Sequence, residues 1–320
     1  MSEQKEYSAS NIKVLEGLEG VRKKFDIVEL RKSIKKRGNI YTIAQELDIK
    51  YSSLKHAFEE ERILKVFPNI HKSKANALSR LKTERELNSF SEAYDVNKLS
   101  ARKLYDAVKK WRKDIEINPL ILLTQEEHDL MIGSLLGDAS IRQRDKNSCF
   151  RVSHSVRQKS YIKWKLELLK FFTISEFSNT KRMINNHEIN MINLSTRTHY
   201  AFNYYRNLFY NKEGRKVVNM AILDGLTPRA LAIWICDDGS YDNKQGYIVL
   251  CTNAFSFEEH KLMKKFFNER FSLDPTIGFR DGKYYYLRFK QKDTKKLIEI
   301  IKPFIIDSMK YKIGEKENDY

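Results

Sequence analysis

Two short runs in this 320-residue chain end in the same way. Met131-Ile132-Gly133-Ser134-Leu135-Leu136-Gly137-Asp138-Ala139 is apolar, carries small residues and closes on an acid. Leu231-Ala232-Ile233-Trp234-Ile235-Cys236-Asp237-Asp238-Gly239 repeats the pattern further along. Gly133 and Gly137 are four apart and share one face of a helix, as do Ala232 and Cys236. Small residues on those faces let two helices approach closely. Side by side, the helices would bring Asp138 and Asp238 together at their ends. Two carboxylates that close repel each other unless a cation lies between them. Mg²⁺ takes carboxylate and water oxygens and could also bridge to a phosphate.

The elements around these runs read as a duplication. Thr124 caps the first helix, with Glu127 three residues later completing a capping box. Strand-like segments follow, then a helix over Tyr161–Phe172, strands around Ile189–Leu194 and a helix over Tyr200–Phe209. Thr227-Pro228 opens the second copy. It continues with a strand over Tyr247–Thr252 and a helix over Phe257–Phe271. Strands near Pro275–Phe279 and Tyr284–Lys290 come next, then helices over Thr294–Ile301 and Phe304–Met309.

The two runs resemble the paired motifs of the LAGLIDADG homing endonucleases, and residues 120–315 are similar in layout to the single-chain, two-repeat members. The resemblance implies an α+β fold. Each repeat would have the order α-β-β-α-β-β-α, the two related by a pseudo-two-fold axis, with repeat one over 120–226 and repeat two over 227–320. It implies a metal-dependent endodeoxyribonuclease that hydrolyses one phosphodiester in each strand of a long asymmetric target. Mg²⁺ would be the cofactor, with Mn²⁺ able to substitute. Asp138 and Asp238 match the catalytic, metal-binding acids. In Asp237-Asp238 either acid could be the ligand, and Asp238, directly before Gly239, fits the motif. Gly137 and Asp237 match positions whose backbone oxygens help hold metal. The first motif departs mildly by ending in Ala139 rather than glycine.

The resemblance also implies a basic residue near each site, and Lys216 and Lys312 match those positions. A lysine there would stabilise developing charge or polarise the attacking water. His154 and Asn253 are candidates for positioning water. Alternating side chains of long strands would lie in the major groove. The candidate DNA-binding residues of the repeats are Arg142, Arg144, Arg151, Arg157, Arg182, Arg197, Lys244, Arg280, Arg288 and Lys290.

Composition agrees with a polyanionic partner. The chain holds 59 Lys+Arg against 42 Asp+Glu, a formal net charge of +17, while hydrophobic residues still make up 41%, enough for a core. No run of about 18 apolar residues occurs to span a membrane. The three cysteines form neither a zinc pattern nor a disulfide framework. A cytoplasmic, nucleoid-associated monomer bound to double-stranded DNA is the expectation.

The N-terminal third reads as all-α. Residues 27–66 have a helix-turn-helix outline: Ile27, Leu30 and Ile34 at helical spacing, a short helix over Tyr41–Leu47, a turn at Asp48-Ile49-Lys50, and a helix capped by Ser52 through about Glu61. Residues 76–116 repeat the outline, with a basic second helix over Ser100–Lys113. Lys55, Arg102 and Lys109 are the DNA-binding candidates there. Pro68–Lys74 and Glu116–Pro119 read as linkers. In residues 1–26, the run Tyr7–Lys23, with Leu15-Glu16-Gly17-Leu18-Glu19-Gly20-Val21-Arg22-Lys23 at its centre, resembles the opening of DNA gyrase B. That points to an exon-derived leader and an intron-encoded protein whose target is the intron-less gyrase B gene. The alternatives are a non-cleaving DNA-binding regulator and a maturase that binds intron RNA on the same scaffold.

Overall fold

The computed structural model describes residues 40–48, 50–173, 177–184 and 187–315. The gyrase B-like run and Ile27, Leu30 and Ile34 lie outside them. The chain divides into two compact units, Met1–Trp111 and Arg112–Tyr320.

In the first unit, α1 (Ile40–Glu46) and α2 (Tyr51–Val66) meet through Asp48, whose φ of 48° is a left-handed conformation that Asp tolerates. Ile43, Ala44, Leu54, Ala57 and Phe58 form their core. The expected cap, Ser52, lies inside α2. The helix starts after Lys50 and runs beyond Glu61, because Ile63 continues the buried stripe. The stretch expected as a linker instead begins α3 (Lys72–Leu78), where His71 accepts the Ser73 N–H as a cap and Ala75, Ala77 and Leu78 are buried. Thr83 caps α4 (Glu84–Ala93). Leu104, Val108 and Trp111 are the buried stripe of α5 (Ala101–Ile117), and Trp111 meets Phe90 edge-on at 5.7 Å. Helix α5 thus runs into the second expected linker, which ends in a 3₁₀ turn at Pro119–Ile121.

The second unit carries the duplication. Repeat one comprises α6 (Gln125–Leu136), β1 (Ser140–Arg144), β2 (Asn147–Ser155), α7 (Lys159–Leu168), β3 (Ser178–Ile184), β4 (His187–Ser195) and α8 (Ala201–Phe209). A short α9 (Met220–Asp224) leads to repeat two. That repeat comprises α10 (Pro228–Asp238), β5 (Gly239–Asp242), β6 (Tyr247–Leu250), α11 (Phe257–Phe271), β7 (Thr276–Arg280), β8 (Tyr284–Phe289) and α12 (Gln291–Ile301). Both sheets are antiparallel and share one strand order, β1-β2-β4-β3 and β5-β6-β8-β7. The expected helix over Phe304–Met309 is replaced by 3₁₀ turns at Lys302–Phe304 and Asp307–Ile313. The backbone is extended at Ile305 and Ile306, which separates the two turns. Helix α7 stops at Leu168, short of the expected Phe172, with a 3₁₀ turn over Lys170–Phe172. No helix among the described residues is long and apolar enough to cross a membrane.

Helices α6 and α10 pack on each other at the centre, and Leu130–Leu136 and Ala230–Asp237 are buried throughout. Both glycines of the first motif are needed for that approach. A Cβ on Gly133 would stand 2.3 Å from the Ala230 carbonyl oxygen, and one on Gly137 would stand 2.5 Å from Asp237 Cβ. The close face of α10 is therefore Ala230, Ile233 and Asp237, not the expected Ala232 and Cys236. The contact is asymmetric: glycine on one side meets a larger side chain on the other.

Candidate active site at the paired helix ends

Asp138 follows Gly137, the C-cap of α6, and Asp238 is the last residue of α10. Burial and neighbouring acids push both carboxyls upward. Asp138, whose side chain is still 41% exposed, rises to about 6, through the surrounding protein that displaces water and then the charge of Asp237. Asp238 rises to about 8, through burial and then Asp138 and Asp237. The charge of Asp138 thus reaches Asp238, while Asp138 itself responds to Asp237.

The two expected lysines sit alike. Lys216 Nζ donates to the carbonyls of Gly137 (3.1 Å) and Ala139 (2.8 Å), the residues on either side of Asp138. Lys312 Nζ donates to the carbonyls of Asp237 (3.4 Å) and Gly239 (2.7 Å), on either side of Asp238. Burial lowers the Lys216 ammonium from its ordinary value, against the pull of Asp238 and Asp138.

The side chain of Asp237 has a part that its expected backbone role did not include. Its side chain is fully buried. Lys165 Nζ of α7 donates to Oδ1 at 2.7 Å and Oδ2 at 2.9 Å, and the Tyr161 hydroxyl donates to Oδ1 at 2.7 Å. Its carboxylate is therefore committed to an internal ion pair, and only its carbonyl faces a lysine of the site. Tyr161 and Lys165 were not singled out from the sequence. The signal was present, since Tyr161, Ile162 and Lys165 form the buried stripe of α7 and a lysine in such a stripe requires an acid.

His154 is buried on β2 beside Asp138, with Nδ1 3.5 Å from Asp138 Oδ2. Burial, then the charge of Lys165, pushes its imidazole down to about 4. Asn253 is not its counterpart. Ser140 pairs with Arg151 and Ser240 with Val249, so three residues on, His154 corresponds to Thr252. Thr252 is buried and hydrogen-bonded to His260 Nε2 at 2.7 Å, whereas Asn253 is exposed in the loop after β6.

A model of the LAGLIDADG DNA endonuclease family matches residues 128–297, more than half of the chain. The chain belongs to this family. DNA endonuclease I-ChuI of Chlamydomonas applanata is 27% identical over 210 residues, covering 60% of this chain and 96% of that protein. The cytochrome b mRNA maturase bI2 of Debaryomyces hansenii is 33% identical over 201 residues, covering 60% of this chain and 75% of its own length. A RecA protein of Mycobacterium gastri is 24% identical over 307 residues, covering 88% of this chain and 70% of that protein. Among solved structures, the homing endonuclease I-WcaI bound to its DNA recognition sequence shares the fold. It aligns with a TM-score of 0.56 at 23% identity, covering 65% of this chain and 92% of that one.

For a LAGLIDADG protein the site residues suit a hard divalent cation. Carboxylate and backbone carbonyl oxygens are the donors Mg²⁺ and Mn²⁺ prefer. The raised Asp138 and Asp238 carboxyls are a pair that a cation would relieve. The carbonyls of Gly137 and Asp237 accept from lysines, and each carbonyl oxygen has a second lone pair.

The sheets present most of the expected DNA-binding residues to solvent. Register places Arg142, Arg144 and Arg151 on one face of β1–β2, all exposed. Arg157, Arg182, Lys244, Arg280, Arg288 and Lys290 are exposed too, and the Arg288 guanidinium lies 4.7 Å over the Tyr247 ring. In the first unit, Lys55, Arg102 and Lys109 are exposed on α2 and α5. Arg197 departs from expectation. Half-buried after β4, it donates its guanidinium to the Phe171 carbonyl and its N–H to the Phe172 carbonyl, so it ties a loop to the core.

Proposed function

We propose that the protein is a site-specific, metal-dependent endonuclease of double-stranded DNA. The observation that carries this reading is the matched geometry of Lys216 and Lys312, each holding the carbonyls that flank one of the two acids. Each half-site then offers a carboxylate and an ammonium to one phosphodiester. Asp138 and Asp238, with the carbonyls of Gly137 and Asp237, would hold Mg²⁺ or Mn²⁺. When bound, the cation would lower the pKa of water and stabilise charge on the leaving oxygen. Lys216 and Lys312 would stabilise the charge that develops on the phosphoryl oxygens. The exposed arginines of the two sheets would follow the duplex, and because the repeats differ in sequence the target would be asymmetric. Both half-sites come from one chain, which supports a monomer. The net charge of +17 supports action on nucleoid DNA in the cytoplasm.

The gyrase B-like run over Tyr7–Lys23 supports an intron-encoded origin and a target in the uninterrupted gyrase B gene. The test is incubation of the protein with a plasmid carrying that gene, with Mg²⁺ and with EDTA. One Mg²⁺-dependent double-strand cut near the codons for Val21-Arg22-Lys23, lost in Asp138→Asn and Asp238→Asn, is the expected result. A cut elsewhere keeps the enzyme and removes the proposed target. Binding without a cut, unchanged by either substitution, overturns the nuclease reading. Similarity to an mRNA maturase favours RNA binding as a second reading. Tight binding of the chain's own intron transcript without cleavage of duplex DNA would select it.

A further inference from the structure

In the first half-site the imidazole of His154 stands between two carboxylates. Nδ1 is 3.5 Å from Asp138 Oδ2, Nε2 is 3.8 Å from Asp237 Oδ1, and the side chain is 1% exposed. Both separations are longer than a good hydrogen bond. Nε2 is buried with no hydrogen-bond partner. One ligand atom from each of Asp138, His154 and Asp237 lies within 4.8 Å of the others.

A neutral imidazole has one N–H and one lone pair. Asp237 is already bound by Lys165 and Tyr161 as an anion, so it can only accept, and it suits an N–H at Nε2. That tautomer turns the Nδ1 lone pair toward Asp138 Oδ2. Two acceptors then face each other across 3.5 Å, a gap that favours a cation between them. The second nitrogen faces a carboxylate at 3.8 Å, on the side where a metal-bound imidazole usually finds its hydrogen-bond acceptor.

We propose that His154 Nδ1 is a metal ligand, joining Asp138 in the first half-site, with Asp237 orienting the ring from behind. The inference rests on the nuclease reading and adds a nitrogen to a site that family resemblance describes with oxygens alone. In the second half-site Thr252 takes the register position, and its hydroxyl is tied to His260. The two half-sites therefore differ in metal preference. Imidazole favours the transition-metal ions over Mg²⁺ in the first, and the second keeps a hard oxygen set.

The probe is Mn²⁺ added to the untagged full-length chain and read by pulsed electron paramagnetic resonance. A ¹⁴N coupling from imidazole is expected. It should change to the ¹⁵N pattern when the histidines are ¹⁵N-labelled, an observation that needs no variant. It should vanish in His154→Gln and Asp138→Asn and persist in Asp238→Asn. His154→Gln should also weaken Mn²⁺ binding at this site at least about tenfold, with the metal-free protein still folding cooperatively. Mn²⁺ bound through Asp138 and Asp238 without nitrogen coupling overturns the inference and leaves the nuclease reading standing. A coupling that survives His154→Gln overturns it as well. Absence of Mn²⁺ binding overturns both.

Discussion

Lys165 and Asp237 form a bidentate ion pair at 2.7 and 2.9 Å with neither side chain exposed to solvent. The lysine comes from repeat one and the acid from repeat two, so the pair ties the two repeats together beneath the site. Breaking one partner of a buried pair leaves an uncompensated charge, at a cost of about 3–5 kcal/mol. Lys165→Met should lower unfolding stability by that amount in urea titration. The double variant Lys165→Met/Asp237→Asn should recover part of it, because no full charge is then left buried. Additive losses would show that the pair is uncoupled.

The raised carboxyls set the pH dependence of the metal-free protein. A carboxyl whose pKa is higher in the folded state costs no stability below its unfolded value of 3.8 and costs progressively more as pH rises to its folded value. With Asp138 raised to about 6 and Asp238 to about 8, stability in EDTA should fall between about pH 4 and pH 8. Mg²⁺ should restore it most strongly near and above pH 8, where both carboxylates have lost their protons. Asp238→Asn should be more stable than the parent at pH 8 by about 1–2 kcal/mol, less than the full shift because water reaches this half-buried group. Near pH 4 the two should melt together. Thermal melts across that range decide it, and a flat parent profile would contradict the assignment.

Each lysine holds the two carbonyls that flank one acid, and on the nuclease reading that would separate the two strand cuts. Lys216→Met should slow the cut at the Asp138 half-site and Lys312→Met the cut at the Asp238 half-site, each by about 10²–10³-fold. Either variant should build up nicked circles before linear plasmid, with opposite strands cut. Equal slowing of both strands by one substitution would show that the lysines act on folding or DNA binding instead.

Arg142 and Arg288 are exposed on the two sheets, whereas Arg197 is half-buried and bonded to the chain. If the first two contact phosphates, Arg142→Gln and Arg288→Gln should each reduce the slope of log K against log salt by about 1. Arg197→Gln should leave that slope unchanged and lower the melting temperature. Binding titrations at several salt concentrations, alongside melts, distinguish the two behaviours.

The closeness of the central helices can be tested at one atom. A Cβ on Gly137 would meet Asp237 Cβ at 2.5 Å. Gly137→Ala should cost about 1–3 kcal/mol by overpacking, read from denaturant unfolding. An unchanged midpoint would mean the helix ends can separate freely.

Much of this was legible in the sequence because the repeats announce themselves locally. Capping residues such as Thr124 and Thr227, the small residues of the first motif and the terminal acids mark α6 and α10 directly. Lys216 and Lys312 were legible only through family resemblance, since nothing in their local sequence distinguishes them among 59 basic residues. Tyr161 and Lys165 were missed because their meaning depends on Asp237, more than seventy positions away. Asn253 falls outside the place of His154 for a similar reason. Strand register, not proximity in sequence, decides which residue occupies the place of His154. Helix α3 was missed because its burial is tertiary, while its basic, polar residues look like a linker.

The unequal meeting of Gly137 with Asp237 bears on how freely such chains can be recombined. A second copy of repeat one placed where repeat two stands would set a glycine opposite a glycine, and Lys165 would be sealed inside without a counter-ion. A second copy of repeat two would crowd one aspartate against another with no ammonium for either. The halves are thus keyed to each other by charge and by volume. A chimaera that borrows a half from another member would have to import Tyr161, Lys165, Gly137 and Asp237 as one inheritance, or rebuild the seam in hydrocarbon.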